Sequence, residues 1–127
     1  NGNLEEAKLC MKSLISNVPY SNKKLVSMDM EERYRLIIST ILNAIGCQVE
    51  VEHMLSTGRI DIVASTSRFI YVMELKLANN GGINAAEKQM IDNGYLKPFL
   101  ADDRKVIGVA VELDDMGKGL IDWKEVK

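Results

Sequence analysis

Gly58-Arg59-Ile60-Asp61-Ile62-Val63-Ala64, then Ser65-Thr66-Ser67-Arg68, then Phe69-Ile70-Tyr71-Val72-Met73-Glu74-Leu75-Lys76-Leu77, is the stretch on which the fold turns. Its two apolar runs are rich in β-branched and aromatic residues and flank a short polar break, which predicts a β-hairpin. If the turn spans Ser65 to Arg68, Ala64 pairs with Phe69 and Asp61 faces Val72. Side chains alternate across a strand. Ile60, Ile62, Ala64, Phe69, Tyr71, Met73, Leu75 and Leu77 then share an unbroken apolar face. Asp61, Val63, Ile70, Val72, Glu74 and Lys76 share the other. A slip of one residue would drive Asp61 into the apolar face, so the pattern itself sets the parity of the register. Any even-length turn centred there keeps that parity. Glu74 lies diagonal to Asp61, about 7 Å or less between Cβ atoms.

Upstream of the hairpin, Cys47 to Met54 alternates, with Cys47, Val49, Val51 and His53 on one face and Gln48, Glu50 and Glu52 on the other. That pattern predicts a half-buried strand near a sheet edge, with both glutamates facing solvent. Asp29-Met30-Glu31-Glu32 reads as a capping box opening a helix. Tyr34, Ile37, Ile38, Ile41, Leu42 and Ile45 form its apolar stripe, and Gly46 stops it. Glu31 lies on the buried stripe, where it either favours the helix dipole or reaches a site between helix and sheet. An earlier helix is predicted from Asn3 to Val18, closed by Pro19. The chain opens on that helix without a methionine, and an excised piece of a longer chain is the expectation.

Downstream, Asn84 is read as the cap of a helix carrying Gln89 and Met90, weakened at Gly94, with its apolar surface continuing to Leu100. Val106 to Val111 is nearly all apolar, the mark of a strand buried on both faces. Following a helix, it is expected to run parallel to the Phe69–Leu77 strand by a crossover. Leu120-Ile121-Asp122-Trp123 is read as a last short strand. Together these elements predict an α/β fold in three layers: a mixed sheet with the Met30–Ile45 helix on one side and the Asn84–Leu100 helix on the other or at the edge.

A chain of 127 residues with 46% hydrophobic and 27% charged residues is the size and composition of one globular domain. No apolar run approaches the roughly 18 residues of a membrane span. The formal charge of −2 supplies no overall basic footprint. Attraction of a nucleic acid would need a local patch or a metal. Cys10 and Cys47 read as buried thiols of a reducing cytoplasm. With His53 as the single histidine, these spacings do not make a zinc site. Any metal should therefore be a hard cation held by oxygen.

The hairpin offers such a site. Asp61, Glu74 and the backbone carbonyl of Leu75, completed by waters, make an oxygen shell suited to Mg²⁺ or Mn²⁺. A metal there polarises a phosphoryl oxygen and activates a water, with Lys76 orienting that water or stabilising developing charge. The competing reading is a structural salt bridge, Glu74 to Lys76 or Asp61 to Arg59. Against it, two like charges on a half-buried face are unfavourable without a cation. The residues alone leave both readings open.

Gly58-Arg59-Ile60-Asp61 followed by Glu74-Leu75-Lys76 resembles the Asp…Glu-x-Lys signature of the PD-(D/E)XK nuclease superfamily. More narrowly, the chain resembles the nuclease-like domain found C-terminal to predicted AAA-type ATPase domains in bacterial proteins. Glu31-x-x-Tyr34, Glu52 six residues before Gly58, Ala86-x-x-Gln89 leading to Tyr95, the Val106–Val111 strand and Ile121-Asp122-Trp123 all have counterparts there. The resemblance implies a restriction-endonuclease-like core over residues 1–127 and metal-dependent phosphodiester hydrolysis of nucleic acid, DNA first. It implies Asp61 and Glu74 as metal ligands, Lys76 as the catalytic lysine, Glu31 as an auxiliary acid and Gln89 as an assisting helix glutamine. It also implies an ATPase domain elsewhere in a longer chain. Two departures stand out. Ile60 replaces the proline of the superfamily's name, and Asn93 stands where a lysine is expected, which weakens the case for a phosphate contact there. A fold retained without catalysis, as a binding, regulatory or interaction module of the ATPase, is the alternative.

Overall fold

The structure is a computed structural model and describes residues 29–126. The helix expected over Asn3–Val18 and Cys10 lie outside the described residues. Helix α1 spans Met30–Ala44. Asp29 caps it, its Oδ1 accepting from the Glu32 N–H at 2.8 Å, which satisfies a donor the first turn leaves over. Tyr34, Ile38 and Leu42, four residues apart, form its buried stripe. The helix ends in a Schellman motif: the Cys47 N–H reaches the Leu42 carbonyl and the Gly46 N–H the Asn43 carbonyl. Gly46 has a φ of +102°, a conformation open to glycine. Ile45, expected on the apolar stripe, is 67% exposed, because as the cap residue it has left helical phase.

Five strands follow in chain order across one sheet: β1 (Gln48–Leu55), β2 (Gly58–Ser65), β3 (Phe69–Leu77), β4 (Lys105–Leu113) and β5 (Leu120–Val126). Only the β3–β4 pair is parallel; the other three pairs are antiparallel. Between β3 and β4 lie a 3₁₀ turn at Ala78–Asn80, helix α2 (Gly82–Asp92) and a second 3₁₀ turn at Lys97–Phe99. The expected Asn84–Leu100 helix is therefore shorter. It begins two residues earlier and stops at Asp92, where Gly94 and Tyr95 close a second Schellman motif through their N–H bonds to Ile91 and Met90.

The two faces carry separate cores. On the α1 side, Tyr34, Ile38 and Leu42 pack with Ile62, Ala64, Met73, Leu75, Val109 and Val111. On the α2 side, Ala86, Met90 and Tyr95 pack with Ile60, Val63, Ile70, Val72 and Ala110. β4 is buried on both faces, as its apolar run predicts, and β1 is an edge strand, with β5 at the other edge. Tyr34 also ties α1 to the β4–β5 turn: its buried hydroxyl donates to the Asp114 carbonyl at 2.8 Å and accepts from the Gly119 N–H at 3.0 Å. Tyr34→Phe should lower stability by about 1–3 kcal/mol, since it orphans a buried N–H. A thermal melt of the variant should show a midpoint several degrees below wild type; an unchanged midpoint would refute this role for the hydroxyl. No helix among the described residues is long and apolar enough to cross a membrane.

The hairpin register differs from expectation by two residues. Ser65 pairs with Ile70, Ala64 with Tyr71, Val63 with Val72 and Ile62 with Met73. The ladder runs on to Thr66, whose N–H bonds the Phe69 carbonyl, leaving a two-residue turn at Ser67-Arg68. The Thr66 hydroxyl accepts from the N–H groups of Arg68 and Phe69 and so closes the tighter turn. A shift of two preserves parity. It also turns the Asp61–Glu74 relation from diagonal to opposite.

Candidate active site

The site exists because the sheet forks. Pairing of β2 with β3 stops at Ile62–Met73. Beyond it, residues 58–60 pair with β1, and residues 74–77 pair with β4. Asp61 stands at the fork. Its Oδ2 accepts the Leu75 N–H at 2.8 Å, doing the work of the missing ladder bond. The N–H and C=O of a strand residue point to the same side, so the Leu75 carbonyl faces the same seam. Two facing changes accompany the fork. Ile60 packs in the α2 core, although strict alternation puts it with Ile62 on the α1 face; Leu55 of β1 does the same relative to Val49. The expected unbroken apolar face from Ile60 to Leu77 is thus corrected at Ile60. Asp61 likewise does not stay with Val63 on the α2 side but reaches toward Arg35 of α1.

The backbone step responsible is at Glu52, which has a φ of +54°. The β1–β2 register steps over Glu52 and Asp61, pairing Val51 with Ile62 and then His53 with Ile60. A left-handed non-glycine residue costs about 1–3 kcal/mol and persists only where its surroundings impose it. Tyr95 anchors the strand that lies opposite this step. Fully buried with Ile60, its hydroxyl donates to the Arg59 carbonyl at 3.1 Å and draws the end of β2 toward α2. A Cβ on Gly58 would lie 2.8 Å from that hydroxyl, which is why the position before Arg59 needs glycine.

Asp61 and Glu74 are 4% and 3% exposed. Burial raises the proton affinity of both, and for Glu74 the Asp61 charge adds to it, pushing its pKa up to about 9. The charge of Asp61 thus opposes ionisation of Glu74 and favours its protonated form. The Oε1 of Glu74 is buried with no hydrogen-bond partner. Lys76, half-buried on the same strand, opposes these shifts and also acts on Glu31. Glu31 is half-buried in the first turn of α1, and burial followed by the Asp61 charge raises its pKa. It borders a cleft of about 410 Å³ with Asp29, Glu32, Arg35, Glu52 and Arg59.

Asp61, Glu74 and the Leu75 peptide are therefore brought together, with Lys76 and Glu31 within electrostatic reach. No three of His, Cys, Asp and Glu form a metal-holding cluster among the described residues, so Glu31 stands outside the pair. Gln89 is placed differently. Its amide donates to the Tyr95 hydroxyl at 3.1 Å, and Asn93 donates to the same oxygen at 3.3 Å. Gln89 thus braces the backbone of β2 rather than hydrogen-bonding either carboxylate.

Two residues of the site escape a sequence reading. Arg35, its side chain 12% exposed, lies 2.7 Å from Glu52 and 3.7 Å from Asp61. Its signal was spacing, since Arg35 follows Glu31 by one helical turn. Glu52 is exposed, as expected, but its carboxylate also pairs with Arg35 and approaches Arg59 at 3.9 Å. Nothing in its neighbours announces a left-handed glutamate.

The donor set fits a hard divalent cation. Such an ion accepts one or two carboxylates and a carbonyl and keeps waters in its other positions, and a second charge would satisfy the orphaned Glu74 oxygen. A mixed sheet clasped by a helix on each face, forked at a buried carboxylate pair beside a lysine, defines the restriction-endonuclease-like class of α/β fold. A family model described as the PD-(D/E)XK nuclease superfamily matches residues 29–123, and the chain belongs to that superfamily. Its nucleases generally use divalent metals. No curated protein matches the chain.

Proposed function

We propose that this chain is a metal-dependent phosphodiesterase of nucleic acid, with DNA as the first substrate to test. The observation that carries the reading is the orphaned, buried Oε1 of Glu74, next in the chain to the Leu75 N–H that bonds the buried Asp61. A protein with no use for a cation gains nothing by burying that pair. Asp61, Glu74 and the Leu75 carbonyl would hold Mg²⁺ or Mn²⁺. When bound, the ion supplies Lewis acidity toward a phosphoryl oxygen and a lowered pKa for water. Lys76 would supply positive charge as the phosphoryl group gains negative charge. Glu31, on the cleft wall, would take a proton. Gln89 acts from behind, through Tyr95, by holding the strand that carries Asp61. The chain would work in a bacterial cytoplasm beside an ATPase domain of the same longer protein, as its resemblance implies.

The second reading is a fold used for binding or regulation. One observation favours it: the cleft wall carries Asp29, Glu31, Glu32 and Glu52 against Arg35 and Arg59, an acidic balance for a phosphate-binding surface. The two readings separate on incubation of the protein with supercoiled and single-stranded DNA in Mg²⁺ or Mn²⁺. Cutting by wild type and none by Asp61→Ala is expected. Cutting that survives Asp61→Ala marks a contaminant. A metal-induced rise in melting temperature without cutting favours the binding module.

A further inference from the structure

Glu52 is the one residue other than glycine with a positive φ among the described residues. It sits opposite Asp61, where the β1–β2 ladder is interrupted. The strained step aims its carboxylate at two arginines. Oε1 is 2.7 Å from Arg35 Nη2, and Oε2 is 3.9 Å from Arg59 Nη1. The other terminal nitrogen of Arg35 stands 3.7 Å from Asp61 Oδ1. A charge-assisted Arg–carboxylate bond closes to about 2.7–2.9 Å. The contact with Glu52 has that length; the contact with Asp61 does not reach it.

That asymmetry calls for a cause. Asp61 is almost wholly buried, where attraction to a cation is stronger than at the half-exposed Glu52. An unrestrained guanidinium would close on Asp61 and fork onto both of its oxygens. We propose that Glu52 is a positioning residue: it grips Arg35 and holds the guanidinium off Asp61, leaving the Asp61–Glu74 pair open to a divalent cation. Arg35 then neutralises part of the buried charge without filling the place of the ion. The strained backbone has a purpose on this account, since regular alternation would not bring Glu52 and Asp61 to the same arginine. The proposal rests on the metal-binding reading of the carboxylate pair.

The test is a Mn²⁺ titration of the whole chain followed by electron paramagnetic resonance at pH 8, which reads affinity without activity. Glu52→Gln should weaken binding roughly tenfold, about 1.4 kcal/mol, because the released Arg35 competes for Asp61. Arg35→Met should tighten binding. In the Arg35→Met background, Glu52→Gln should have no further effect. An equal loss in both backgrounds would assign Glu52 to the general field of the cleft and overturn the proposal, as would no loss in either. If Arg35→Met does not fold, Arg35→Lys replaces it. A compact ammonium cannot hold two carboxylates through separate nitrogens, so the effect of Glu52→Gln should shrink there, and an undiminished effect overturns the proposal. Asp61→Asn is the control for the underlying reading. Wild type that fails to bind Mn²⁺, or Asp61→Asn that binds it equally well, overturns the metal site itself and the proposal with it.

Discussion

Glu74→Gln is expected to make the metal-free protein more stable at pH 8 while leaving it unable to bind a divalent cation or cut DNA. The sign follows from linkage. Burial, then the Asp61 charge, raises the folded-state pKa of Glu74 from 4.5 to about 9. The native state therefore holds a proton that the unfolded chain releases. Stability is full below about 4.5 and falls as pH rises toward about 9, by up to about 1.4 kcal/mol per pH unit. Asp61 shifts in the same direction, with burial as the largest cause. Glutamine reproduces the shape and hydrogen-bonding capacity of the protonated acid but never ionises. Melting curves from pH 5 to pH 8.5 should fall steeply for wild type and remain flatter for Glu74→Gln, the two diverging as pH rises. At pH 8, Mn²⁺ should raise the wild-type melting temperature, because a ligand of the folded state alone stabilises it. The variant should show no such rise. Parallel pH curves for the two proteins would mean that Glu74 is ionised without a cation, and the reading of the pair as a metal site would lose its basis.

The second large effect is expected at Lys76. Lys76→Met should reduce cleavage by roughly 10²–10³, the scale for removing one group that stabilises transition-state charge. The Mn²⁺-induced rise in melting temperature should persist at pH 8.5. Lys76 contributes charge to the site but has neither a carboxylate nor a carbonyl aimed at the fork. Its loss leaves the two acids somewhat harder to ionise, since Lys76 favours their charged forms, so the metal response should weaken as the pH is lowered. The pair of variants therefore separates two roles: Glu74→Gln abolishes both metal response and cutting, and Lys76→Met lowers cutting while sparing the metal response at pH 8.5. If Lys76→Met removes the Mn²⁺ response at pH 8.5 as fully as Glu74→Gln does, the lysine is a structural counter-ion, and the catalytic assignment fails.

Much of this architecture was legible from period and punctuation. The three layers, the parallel pairing of β3 with β4, the edge position of β1 and the bracketing of α1 by Asp29 and Gly46 all follow from local rules. Each depends on a few neighbouring residues. Asp61 and Glu74 were legible as a pair because parity survives a register error of two. What escaped depends on departures from regular geometry. The Thr66 hydroxyl tightened the turn. Gly94 and Tyr95 ended α2 at Asp92 where an apolar surface ran on to Leu100. Strict alternation put Asp61 on the α2 face and gave the exposed Glu52 no partner on α1, since it assumes an uninterrupted ladder, and the ladder is interrupted at the site.

The sequence by itself determined that two carboxylates and a lysine would lie close on neighbouring strands of a buried hairpin, because the hydrophobic pattern sets Asp61 beside Glu74 and Lys76 in any register of that parity. Only the tertiary structure decided how they meet. Tyr95 draws Ile60 and the end of β2 toward α2, the β2–β3 ladder opens at Ile62, and Asp61 fills the gap with a side-chain bond to the Leu75 N–H. Arg35 and Glu52 enter from α1 and β1. These are contacts between residues far apart in the chain, and no local pattern encodes them.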